Sequence, residues 1–138
     1  MKRHAFVATI LGLLLMPTLP QLHAQSLKFE VPFDFVAAGT TLPAGEYRVG
    51  PNQPVSGVVR LINSNGSGSA MCLAQATQSD QPINKPKLVF NRYGDLYFLS
   101  EVWSQGNNLG QKLPPSKAER EIARTFSKPT KEILTARK

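Results

Sequence analysis

The sequence predicts an all-β fold: a single antiparallel β-sandwich, with a small β-barrel as the alternative, followed by a short C-terminal helix. Three observations carry this. Apolar and polar residues alternate with period two in several short runs. Gly, Pro, Asn and Ser separate those runs at short intervals, as turns require. Helical periodicity appears only after Pro114-Pro115, so no helix lies between consecutive strands.

The chain opens with a segment of another kind. Met1-Lys2-Arg3-His4 is basic, Ala5 to Met16 is apolar, Pro17 and Pro20 break the run, and Leu22-His23-Ala24 offers a small residue before Gln25. That is the layout of a cleavable secretory signal peptide over residues 1–24, and it predicts export to the periplasm or the cell exterior. The competing reading is a membrane anchor. A spanning helix needs about 20 apolar residues, and Pro17 ends this run well short of that. Cleavage would remove His4 and His23, the two histidines of the chain.

Leu27 to Phe35 alternates cleanly, with Leu27, Phe29, Val31, Phe33 and Phe35 on one side. Pro32 cannot donate to a ladder, so this strand is expected at a sheet edge or with a bulge. Residues 38–45 read as a turn region, with Pro43 presetting its φ and Gly45 tolerating a positive one. Glu46 to Val49 and Gly57 to Ile62 are the next strands, separated by a loop punctuated by Pro51 and Pro54. Asn65-Gly66 is a hairpin signal. Ala70 to Thr77 is a fourth strand whose small residues Ala70, Cys72, Ala74 and Ala76 share a side that another backbone or a large side chain can approach.

Leu88 to Phe98 is expected to be a hairpin turning at Asn91-Arg92-Tyr93-Gly94, with Phe90 opposite Leu96 and Leu88 opposite Phe98. The second strand runs on through Trp103, and residues 104–110 read as a Gly/Asn-rich loop. Ser116 and Glu119 form a capping-box pattern. Ala118, Ile122 and Phe126 then recur every four residues, the stripe of a short helix ending near Phe126. Beyond Pro129 the chain is expected to fray.

Charge divides the chain beyond the leader in two. Residues 25–111, the expected β domain, carry six basic and six acidic side chains. Residues 112–138, the expected basic tail, carry eight basic against three acidic, so the net +5 sits there. The candidate contacts for an anionic surface are therefore Lys117, Arg120, Arg124, Lys128 and Lys131. A solvated helix that merely caps the core is the alternative. Nucleic acid would fit the charge but not export.

Composition narrows the chemistry. With no histidine after the leader and Cys72 as the single cysteine, neither a Ser-His-Asp nor a Cys-His arrangement can be assembled. Structural zinc sites fail on the same count, and no cofactor or metal is expected. No phosphate loop or dinucleotide fingerprint is present. One cysteine also forbids an intrachain disulfide, and its apolar setting in Ala70-Met71-Cys72-Leu73-Ala74 predicts a buried, inert thiol. Carboxylate chemistry survives only through a cross-strand pair among Glu30, Asp34, Glu46, Asp95 and Glu101. The aromatics read mainly as core, with Tyr93 and Tyr97 the expected exposed ones.

VPFDFVAAGTTLPAGEYRV (31–49), LVFNRYGDLYFLSEVW (88–103) and LPPSKAERE (113–121) together resemble a group of small exported bacterial proteins of acidobacterial type. The resemblance implies export and one β-rich domain, and it carries over no catalytic residue. Three functions follow as expectations. The first is a non-enzymatic envelope or extracellular binding module whose basic tail contacts an anionic envelope component or another envelope protein. The second is a small carrier enclosing an apolar ligand. The third is a carboxylate enzyme acting on glycans.

Overall fold

The computed structural model describes residues 27–50, 57–106 and 108–136; the expected leader, 1–24, and the loop prolines Pro51 and Pro54 lie outside them. Two sheets face each other. The first is built from β1 (Leu27–Val31), β4 (Gly45–Gly50), β5 (Val58–Asn63) and β6 (Ser69–Leu73), adjacent in that order and all antiparallel. The second runs β11 (Thr130–Thr135), β8 (Lys87–Tyr93), β9 (Leu96–Trp103), β10 (Leu109–Lys112), β7 (Gln75–Gln78). The hairpin β2 (Phe35–Ala37) and β3 (Thr40–Leu42) joins it through a parallel bridge between Val36 and Phe98. Among the described residues the fold is thus a β-sandwich and not a closed barrel, antiparallel apart from that one bridge, with one helix, α1 (Lys117–Thr125).

The core lies between the sheets. Phe29, Phe35, Tyr47, Phe90, Leu42, Leu61 and Leu88 are fully buried there, and Phe35 packs edge-on against both Tyr47 and Phe90. Alternation accounts for the members of this set that lie in the expected strands, because a strand buries every second residue; Leu42 comes from the segment read as a turn. The chain passes between sheets at two places where the sequence reads as one continuous strand. It breaks at residues 32–34, where Pro32 cannot donate and Asp34 Oδ1 accepts from Ala44 N instead. It breaks again at Ala74, whose N–H makes the last bond in the β5–β6 register, to Gly57 O, before Gln75 pairs with Lys112 in the second sheet. Pro32 accordingly sits just past β1, which is an edge strand.

Four other local expectations are corrected. Residues 38–45 are not all turn: Ala38 and Gly39, both at positive φ, make a two-residue reversal and Thr40–Leu42 pairs as β3. The β8–β9 turn is Gly94-Asp95, with Gly94 at φ +60, the first central position of a type II′ turn. Asn91 therefore faces Phe98 and Phe90 faces Leu99, and a bulge beside Phe90 restores Leu88 opposite Val102. Residues 109–112 are a strand because the Trp103 ring lies over Gly110: a Cβ there would come within 2.5 Å of Trp103 Cε3. Finally, the chain does not fray after Pro129. Residues 130–135 pair with β8 from Arg92 to Lys87, and Leu134 packs against the core.

The tail is therefore a sheet component, and the division at residue 111 is not a seam between body and appendage. Leu113 is buried and its N–H bonds Ser100 O, the carbonyl of the bulged strand. Gly110→Ala is expected to lower stability by about 1–3 kcal/mol through overpacking against Trp103. The check is the urea midpoint of that variant against the parent; an unchanged midpoint would show the ring is free to move.

Candidate functional site

The helix begins as the sequence indicates. Ser116 is its N-cap in extended conformation, and its Oγ accepts from Glu119 N at 3.2 Å. The reciprocal half of the capping box is absent. The Glu119 side chain does not turn back to Ser116; it is 5% exposed and its Oε1 accepts from Asn91 Nδ2 at 2.8 Å and from Tyr93 OH at 3.2 Å. Asn91 and Tyr93 project from β8 on the face away from the inter-sheet core. The helix thus lies on the outside of the second sheet.

This shifts the inward stripe by one position. Ala118 is exposed, and Glu119, Ile122 and Phe126 face the sheet at i, i+3 and i+7. Phe126 meets Tyr93 edge-on at 6.2 Å and stands over Gly94, while Tyr93 packs on Phe98 at 5.7 Å. Tyr93, expected exposed, is buried for this reason. Tyr97 is half-buried: Phe33 stacks on its ring at 3.7 Å, and the Arg92 guanidinium lies 5.4 Å from its centre.

A polar chain runs through Asn91. Lys131 Nζ donates to Asn91 Oδ1 at 2.5 Å, and Asn91 Nδ2 donates to Glu119. Both bonds fix the same orientation of the amide. Burial, the nearby Glu119 charge and the hydrogen bond to it together raise the Tyr93 pKa above its ordinary value. The carboxylate also sits in the first helical turn, where the macrodipole favours negative charge.

All five candidate cations are exposed. Lys117, Arg120 and Arg124 fall at i, i+3 and i+7, opposite the Glu119–Ile122–Phe126 stripe, so they share the outward face with Glu121 among them. Lys128 follows the helix, and Lys131 lies on β11, engaged with Asn91. The structure thus gathers three of the five on one rigid face and leaves two beside it. Asn91, Tyr93 and the buried role of Glu119 were not foreseen. The spacing Glu119–Ile122–Phe126 carried the signal, but a charged residue does not read as the inner face of a helix.

The other chemistries have local assignments. Cys72 is fully buried and its pKa is pushed up to about 11 by desolvation, which removes thiolate character. Glu30 and Glu46 face each other across β1 and β4 on the outer side of the first sheet, where Ser64 Oγ donates to Glu46. Glu101 accepts from Trp103 Nε1 at 2.8 Å. Among the described residues no group of three or more His, Cys, Asp or Glu could hold a metal ion, and no helix is long and apolar enough to cross a membrane. Comparison of the chain with protein-family models, curated proteins and solved structures gave no match.

Glu119→Ala strands Asn91 Nδ2 and Tyr93 OH in a buried site, at a cost of about 1–3 kcal/mol. Chemical denaturation measures this. The raised Tyr93 pKa also has a defined sign. Its folded pKa exceeds the unfolded value of about 10, so its contribution is intact below pH 10 and declines as pH rises from there through the folded pKa. Stability measured between pH 8 and 12 should fall less steeply in Tyr93→Phe than in the parent.

Proposed function

We propose that the protein is an exported, non-enzymatic module that adheres to anionic envelope material through the outward face of α1. One observation carries the reading: Lys117, Arg120 and Arg124 are held on one side of a helix whose other side is tied to the sheet by Glu119. Nine residues make a marginal helix in water. Docking orders it before any partner arrives, so binding does not have to supply that ordering free energy. Each cation near an anionic surface contributes up to about 1 kcal/mol, and the attraction is screened beyond about 8–10 Å. Exposed large apolar side chains are absent from the Lys117–Arg120–Arg124 face, which favours surface adhesion over insertion. Lys128 is exposed just beyond the helix, whereas Lys131 is engaged with Asn91 on the sheet.

The test uses the complete protein, because shortening it before residue 112 would remove β11 from the second sheet. Cosedimentation with envelope fragments is measured at about 50 and 500 mM salt, where screening lengths differ several-fold. The parent is expected to sediment at low salt and to be released at high salt. Replacing Lys117, Arg120 and Arg124 together by Gln should weaken retention about tenfold or more, given up to about 1 kcal/mol per charge. Retention that ignores both salt and the three substitutions would dismiss the proposal.

A further inference from the structure

We infer that the free edge of β6 is a self-association surface, which joins two copies of the chain through antiparallel β6–β6 pairing about a twofold axis at Met71. The observation behind it is an edge with none of the usual protection. Among the described residues no strand pairs with the far side of β6. Its sequence, Ser69-Ala70-Met71-Cys72-Leu73, holds neither charge nor proline. Exposed edges are ordinarily blunted by such residues. The opposite edge of the same sheet, β1, carries Lys28 and Glu30 and is followed by Pro32; in the second sheet, the edge strand β11 carries Lys131 and Glu132. The other edge of the second sheet, β7, also lacks charge and proline but is four residues long and mostly polar, so β6 stands apart by being uncharged and apolar together.

The outer face beside this edge is apolar. Leu73 is 75% exposed and Met71 63%, and Ile62 of the neighbouring strand is 43% exposed. Between them lies an open hollow of about 250 Å³ lined by Arg60, Ile62, Ser69, Ala70 and Met71. The register explains the hollow: Ser69 is the small residue paired with Ile62, whereas Met71 pairs with Arg60 and Leu73 with Val58.

The proposed axis makes this surface complementary to itself. With Met71 opposite Met71 of the second copy, Leu73 of each copy falls opposite Ser69 of the other. The most exposed leucine of one copy then enters the hollow of the other, beside Ile62. On the inner side Ala70 meets Cys72, two small residues that let the backbones reach the strand spacing of about 4.8 Å. Charge does not oppose the pairing. The two Arg60 side chains originate three strand spacings apart, about 14 Å, beyond the screening length of about 8–10 Å. The patch offers a few hundred Å² per copy, which places the interface at or below the small end of specific interfaces. The dimer is therefore weak, with a dissociation constant on the order of 100 µM.

Sedimentation equilibrium of the protein, as its host processes it, reads the association directly. Average mass is expected to rise from monomer toward dimer between about 10 µM and 1 mM. Met71→Lys, which changes an exposed side chain, should hold the protein at monomer mass across that range. Ile133→Lys, at a comparably exposed apolar position on β11, should not. Met71→Cys should form a disulfide-linked dimer under mild oxidation, because residues facing each other across an antiparallel pair lie about 4.5–5.5 Å apart at Cα. A constant monomer mass up to 1 mM overturns the inference. So does association that persists in Met71→Lys, growth of mass beyond the dimer, or failure of Met71→Cys to cross-link faster than Ile133→Cys.

Discussion

The pairing of β8 with β9 is the constraint on which both faces of the second sheet depend. Inward, the two strands supply Leu88, Phe90, Leu99 and Val102 to the core shared with the first sheet. Outward, they supply Asn91, Tyr93 and Phe98, the platform on which α1 rests. The bulge beside Phe90 sets both assignments, because a one-residue slip exchanges the faces of every side chain beyond it. Every other strand of that sheet attaches to this pair directly or through one neighbour. β11 lies along β8, while β2 and β10 share the other side of β9 at its two ends.

Glu119 shows how a short polar helix is held without a large apolar face. A buried carboxylate loses hydration that its partners must replace. Here two donors on one strand replace it, and the Lys131 ammonium stands behind Asn91. Such an arrangement contributes orientation more than net stability, since buried polar groups roughly offset their own desolvation. Ile122 and Phe126 add apolar contact at the far end. The consequence for function is geometric: a helix pinned on one side has a defined opposite side, and the basic residues occupy it.

The two sheets present different outer surfaces. The second is covered in part by α1 and by the segment that brings Ile83 onto Val89 and Trp103. The first has no such cover among the described residues, and its outer face grades from Glu30 and Glu46, through Lys28, Arg48 and Arg60, to Ile62, Met71 and Leu73. Like charges stand directly opposite one another there, Lys28 with Arg48 and Glu30 with Glu46, while each cation has a carboxylate on the diagonal. An apolar margin at one side of a charged sheet face gives the molecule a direction for assembly that its basic helix does not supply.

The sequence by itself left sandwich and barrel both open but determined the all-β class, the inward set of the first strands and the span of the helix. These follow from period two, period 3.6 and a capping serine, all of which act over a few neighbouring residues. The burial of Cys72 was legible for the same reason. Tertiary structure alone decided where the chain changes sheets, because Leu27 to Phe35 and Ala70 to Thr77 each alternate without a break although their ladders end at Val31 and Leu73. It decided that residues 109–112 and 130–135 are strands, since Gly110 needs the Trp103 ring and Lys131 to Thr135 need β8 to pair with. It also converted Glu119 from a capping residue into a buried anchor. A carboxylate tolerates that position only when donors from a distant strand reach it, and no local pattern reports a partner 26 to 28 residues away.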